Sequence, residues 1–131
     1  MKKKGQISIE FLLVIIVSLV ILGFSFFIYT EKNFELITTQ ERLEAKLLAN
    51  QLARNINEIY NSGNGASIEL NVQSKFGFEY ILAVKGNSVR VEYGEFYTDA
   101  PLITQNTSDF VGVEGLLNIE NQFGRIVVSN V

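Results

Sequence analysis

Gly5, Glu10 and Asn106 are the residues whose types and surroundings offer chemistry. Gly5 stands between Lys4 and Gln6, shortly before an apolar run from Phe11 to Tyr29. It has no Cβ and leaves the backbone on either side open to a peptidase, so hydrolysis of the Gly5–Gln6 bond by an external enzyme is the reaction expected there. Glu10 carries a carboxylate directly into the apolar run, a charge that suits either the first turn of a helix or a cationic partner. Asn106-Thr107-Ser108 is the chain's single Asn-x-Ser/Thr triplet, an acceptor pattern for an N-linked sugar. The rest of the inventory is short. The 131 residues include no Cys and no His, which removes thiolate zinc sites, Cys nucleophiles and the side chain most used for proton transfer near neutral pH. No nucleophile–base pairing, phosphate loop or paired-carboxylate spacing occurs, so no enzyme, metal or cofactor is expected. Glu92, Glu95, Asp99 and Asp109 lack ligand spacing and read as solvated surface. Tyr93, Phe96 and Tyr97 read as the core and rim of a small sheet, in preference to a sugar-stacking patch.

The element that positions Gly5 and Glu10 is the apolar run itself. Its roughly 19 uncharged residues, at 1.5 Å each, match a ~30 Å hydrocarbon layer. Fifteen of its side chains are Leu, Ile, Val or Phe, each contributing about −0.3 to −0.6 kcal/mol to insertion. Glu10 at full membrane depth would cost about 3 kcal/mol, so insertion still wins. Lys2, Lys3 and Lys4 hold the leading end in the cytoplasm, which puts the residues after Tyr29 outside. An ordinary secretory signal has a shorter apolar stretch followed by a small-residue cleavage site. Here the run is longer, and Phe24 to Lys32 contains no Ala-x-Ala pattern.

Lys4-Gly5-Gln6-Ile7-Ser8-Ile9-Glu10 resembles the class III signal sequence of archaeal type IV pilins and related archaeal filament subunits. Gln6, Ser8 and Glu10 match the alternate polar positions of that pattern. Val14 stands where Leu is usual and keeps the apolar character. The resemblance covers about the first 30 residues. It implies a substrate of a membrane prepilin peptidase, cut between Gly5 and Gln6, with the apolar helix retained. It further implies that the Glu10 carboxylate neutralises the new amino terminus of a neighbouring subunit. The implied partners are copies of the chain or related pilins, the peptidase, the filament assembly machinery and, before assembly, the membrane. The implied product is a cell-surface filament used for adhesion. The rival expectations are a monomeric signal-anchored surface module and an accessory subunit of a related filament or secretion system.

Net charge is −3, and loss of the three leader lysines would take it to about −6. Such a chain is unsuited to nucleic acid, whose phosphates need a basic surface. From Thr30 the helical pattern continues without a breaker to Asn61, although the β-branched pair Thr38-Thr39 allows a kink. Leu43, Leu47, Leu48, Leu52, Ile56 and Ile59 form a narrow apolar stripe, with Ala45, Ala49 and Ala53 alongside. An unbroken helix from Gln6 to Tyr60 would be about 80 Å long. Gly63 suits its C-terminal cap.

Beyond Gly65 the period changes to two. Ile68, Leu70 and Val72 alternate with polar residues. So do Phe76, Phe78, Tyr80, Leu82 and Val84, and then Val89, Val91 and Tyr93. Gly86-Asn87 signals a hairpin pairing Val84 with Val89, Leu82 with Val91 and Tyr80 with Tyr93. A loop at Asn121-Gln122-Phe123-Gly124 would set Glu120 opposite Arg125, Ile119 opposite Ile126 and Leu117 opposite Val128. Asp99 to Asp109 reads as the longest irregular loop. The expected fold is α+β: a long N-terminal helix followed by an antiparallel sheet of about five strands, its apolar face covered by the stripe. The expected divisions are a leader (1–5), a membrane-spanning or filament-core helix (6–29), an amphipathic helix (30–61) and an extracellular β domain (62–131).

Overall fold

The computed structural model describes residues 2–75 and 77–131, with side chains from Ser8 onward. Helix α1 runs Lys2–Ser62. Seven strands follow: β1 (Ser67–Val72), β2 (Ile81–Lys85), β3 (Ser88–Tyr93), β4 (Phe96–Pro101), β5 (Phe110–Val113), β6 (Gly115–Gln122) and β7 (Arg125–Asn130). The chain forms two compact units, Met1–Thr39 and Gln40–Val131.

The α+β class expected from the sequence is the class observed, but the strands form two antiparallel sheets and not one. One has the order β1-β6-β7, the other β4-β3-β2-β5. β1 pairs with β6, joining Ile68 to Ile119 and Leu70 to Leu117 across most of the β region. β5 returns to the free side of β2. Alternation marks which residues face inward, yet carries no information about which distant strand is the neighbour.

In the second unit, residues of α1 share one core with both sheets. The covering face differs from the expected stripe. Ala45, Leu48, Ala49, Leu52, Ala53, Ile56 and Ile59 are buried, whereas Leu43 and Leu47 are 57% and 67% exposed. The three alanines, spaced four apart, lie on this buried face. Leu43 and Leu47 fall on the opposite side of the helix and point outward. Facing the helix are Leu82, Val84, Val89, Val91, Leu117, Ile119 and Ile126, all fully buried.

The Gly86-Asn87 hairpin is as expected, with Val84 opposite Val89 and Leu82 opposite Val91. β2 begins only at Ile81, so Phe78 and Tyr80 precede the strand. Phe76 lies outside the described residues. Tyr80 is still buried and meets Tyr93 edge-on, with ring centroids 6.2 Å apart. The β6–β7 hairpin corrects the expected register by two residues: Gln122 faces Arg125, Glu120 faces Val127 and Ile119 faces Val128. The turn is Phe123-Gly124 alone, both residues having positive φ (55° and 84°), as a tight primed turn requires. A shift of two keeps every side chain on its face, so the apolar pattern tolerates either register. Asp99 to Asp109 is less irregular than expected. Asp99, Ala100 and Pro101 belong to β4. Farther on, Asn106 C=O accepts from Ile126 N–H at 2.9 Å and Ser108 N–H donates to Ile126 C=O at 2.7 Å.

Candidate functional site

In the first unit, the backbone of Lys4, Gly5 and Gln6 is part of α1, and their side chains lie outside the described residues. Ser8, Glu10 and Val14 are exposed. Glu10 and Val14, four apart, share a helix face, while Ser8 lies on another. Among the described residues Glu10 has no ion pair or hydrogen-bond partner. Every large apolar side chain from Ile9 to Tyr29 is 42–69% exposed. Ser18 and Ser25 donate their hydroxyls to Val14 and Ile21 carbonyls at 2.8 and 2.9 Å. Thr30 donates to Phe27 C=O at 2.8 Å. The run therefore offers apolar surface with its hydroxyls satisfied internally, as a helix in lipid or in a helix bundle requires. It is long and apolar enough to cross a membrane, and none of it is covered by the chain itself. Such a helix suggests a membrane anchor or a signal sequence. The Thr38 and Thr39 hydroxyls donate to the Phe34 and Glu35 carbonyls within α1.

In the second unit the chemistry-bearing residues are dispersed. Asn106 is exposed, its side-chain amide donating to Gly124 C=O at 3.0 Å. Thr107 Oγ1 donates to Gly86 C=O, and Ser108 Oγ accepts from Val128 N–H. Of the acidic residues, Asp99 is held by Arg90 through two bonds of 2.8 and 3.0 Å. This contact is the main reason the Arg90 guanidinium is pushed up from its ordinary pKa. Among the described residues no group of three or more His, Cys, Asp or Glu side chains is placed to hold a metal. Tyr93 is buried and stacks on Phe96 at 5.9 Å. Phe96 and Tyr97 are exposed on the rim, beneath the guanidinium groups of Arg42 and Arg90 respectively.

Among the buried polar residues without a signal in the sequence are Glu44 and Asn121. Glu44 reaches from the helix to the segment between β1 and β2. Its carboxylate accepts from Lys75 N–H, from Ser74 Oγ at 3.1 Å and from the Tyr80 hydroxyl at 3.1 Å. Glu114 accepts from Ser74 N–H at 2.8 Å. Burial, then the charge of Glu44, pushes the Tyr80 hydroxyl well above its ordinary pKa. Asn121, 2% exposed, ties the end of α1 to the β6–β7 turn. Its Nδ2 lies 3.4 Å from the Ile59 and Tyr60 carbonyls, and its Oδ1 accepts from Gly124 N–H at 2.9 Å. Neither residue carries a signal in sequence, because Glu44 sits among other charges and Asn121 in an apparent turn.

The architecture, a long N-terminal apolar helix followed by antiparallel sheets, is pilin-like. Comparison with protein families, with curated proteins and with solved structures finds no match to the chain.

Proposed function

We propose that the chain is a structural subunit of an archaeal type IV pilus-like surface filament. It is held in the membrane as a precursor, cut after Gly5 and assembled by helix packing, and its filament serves adhesion. The supporting observation is the apolar helix that its own chain leaves wholly uncovered, adjoining the Gly5-Gln6-x-Ser8-x-Glu10 signal. Leaving lipid would expose those large side chains to water at about 1.5–3 kcal/mol each. Packing such helices against one another avoids that cost. Within that packing, Glu10 pairs with the new amino terminus of a neighbour and sets axial register, since a slipped subunit would strand both charges. The β domain lies outside the cell and the leader lysines inside. The partners are other copies or related pilins, the prepilin peptidase and the assembly machinery; the chain has no catalytic role and binds no nucleic acid.

Sequencing the amino terminus of the protein isolated from its host tests the reading. The expected first residue is Gln6, in material that sediments as polymer. An intact Met1 in membrane-bound monomer supports the signal-anchored module instead.

A further inference from the structure

The β6–β7 turn sets an aromatic ring where a turn residue would ordinarily stand. Phe123 adopts a left-handed backbone (φ 55°) and is 91% exposed. A bulky side chain gains nothing from that conformation, and a fully solvated phenyl ring gains nothing within its own chain. The ring is nevertheless firmly based. Phe123 N–H donates to Asn64 Oδ1 at 2.8 Å, Gly124 N–H to Asn121 Oδ1 at 2.9 Å, and Asn106 Nδ2 to Gly124 C=O at 3.0 Å. Three asparagines thus hold the turn that presents it, beside the end of α1.

The same unit contains a groove suited to a ring. It runs between the outward face of α1 and the end of β1, lined by Leu43, Leu47, Gln51, Arg54, Asn71 and Lys75 among others. Leu43 and Leu47 form its apolar wall and are left exposed by the core packing. Arg54 is exposed, and among the described residues it has no carboxylate partner. Its free guanidinium complements the negative face of an aromatic ring. Groove and knob lie toward opposite ends of the unit's helical segment, separated by about 20 Å along the axis at 1.5 Å per residue. Two different surfaces so placed cannot satisfy each other within one chain. Between chains they make a head-to-tail contact, which propagates.

We propose that Phe123 of one copy seats in the Leu43–Leu47–Arg54 groove of the next, a contact between β domains additional to the helix core. The inference rests on the filament reading and specifies a surface which that reading leaves open.

The chain has no natural cysteine, so introduced ones report contact cleanly. Tagged full-length chain carrying Gln122→Cys, beside the ring, is co-expressed with untagged chain carrying Gln51→Cys, which lines the groove, so that Phe123 and Leu47 are both kept; the chains are assembled and oxidised. The expected product is a disulfide-linked tagged–untagged pair, at least tenfold more abundant than when Lys85→Cys, another exposed site, replaces Gln51→Cys. The variant Phe123→Asn supplies a fold-neutral arm, because Asn-Gly is the preferred pair for such a turn. It should melt at or above the natural temperature yet yield at least tenfold less polymer. Polymer of the paired cysteine variants without the 122–51 crosslink, or full polymer yield from Phe123→Asn, overturns this contact and leaves the filament reading standing. If the natural chain forms no polymer at all, both fall.

Discussion

Tyr80 and Glu44 show how a few buried polar atoms bind the β1–β2 connection to the helix. The Tyr80 hydroxyl lies 3.1 Å from Glu44 Oε2 and 3.2 Å from Glu41 C=O. Burial and the nearby carboxylates hold its proton in the folded state. An unfolded tyrosine releases that proton near pH 10. Above that pH the unfolded chain binds fewer protons than the folded one, so stability falls as pH rises, by about 1.4 kcal/mol per unit for one full proton. Tyr80→Phe should be less stable at pH 8, because Glu44 loses a donor, and should show a shallower alkaline decline. Thermal melts from pH 8 to 11 read both. A decline as steep as that of the natural chain would remove Tyr80 as its source. Asn106 poses a different question. Its exposure permits a glycan, but its amide bond to Gly124 must be given up to accept one. Intact mass of the host protein should show an added sugar that is lost in Asn106→Gln. An unmodified mass would remove the modification and leave the fold untouched.

The elements have unequal claims on the helix. Its inward face carries small alanines between large aliphatics, and Leu52 and Ile56 on it are fully buried. Leu52→Ala should therefore cost about 2–5 kcal/mol through lost burial and a residual cavity. Leu47→Ala, at a position 67% exposed, should change the stability of the monomer by less than about 0.5 kcal/mol. Denaturant midpoints of the two variants check the assignment, and equal losses would return Leu47 to the core. The β6–β7 hairpin teaches a related point. Residues 123 and 124 form the turn because both accept positive φ there, although Phe123 alone would not advertise it. The four-residue loop suggested by composition would leave Asn121 and Gln122 out of the ladder, where the tight turn pairs them with Ile126 and Arg125.

At the scale of the whole molecule, two units require different surroundings. Residues 8–39 bury almost none of their apolar surface, whereas the core of the second unit draws on helix and both sheets. A fragment beginning at Gln40 should be soluble and melt cooperatively, with both helical and strand circular dichroism. One beginning at Ser62 lacks Ala45 to Ile59 and leaves the inner sheet faces uncovered, so it should aggregate or fold weakly. Equal melting temperatures for the two fragments would contradict the shared core.

Much of this was already present in the order of residues. A 3.6-residue period up to Asn61, Gly63 in the left-handed region at the helix end, and the Gly86-Asn87 turn are local features. Backbone sterics and nearest neighbours decide them. The apolar run is equally local, since uncharged length and hydropathy need no partner to be recognised. What tertiary structure alone decided are the choices among locally equivalent options. These are the pairing of β1 with β6, the division into two sheets, the two-residue register of β6 on β7, and the helix face that turns inward. Alternation of period two is unchanged by a shift of two and says nothing of strand order. A helix with apolar residues on more than one face chooses between them only when a sheet of definite shape arrives. Here the face with Ala45, Ala49, Leu52 and Ile56 is the one covered, which leaves Leu43 and Leu47 outward.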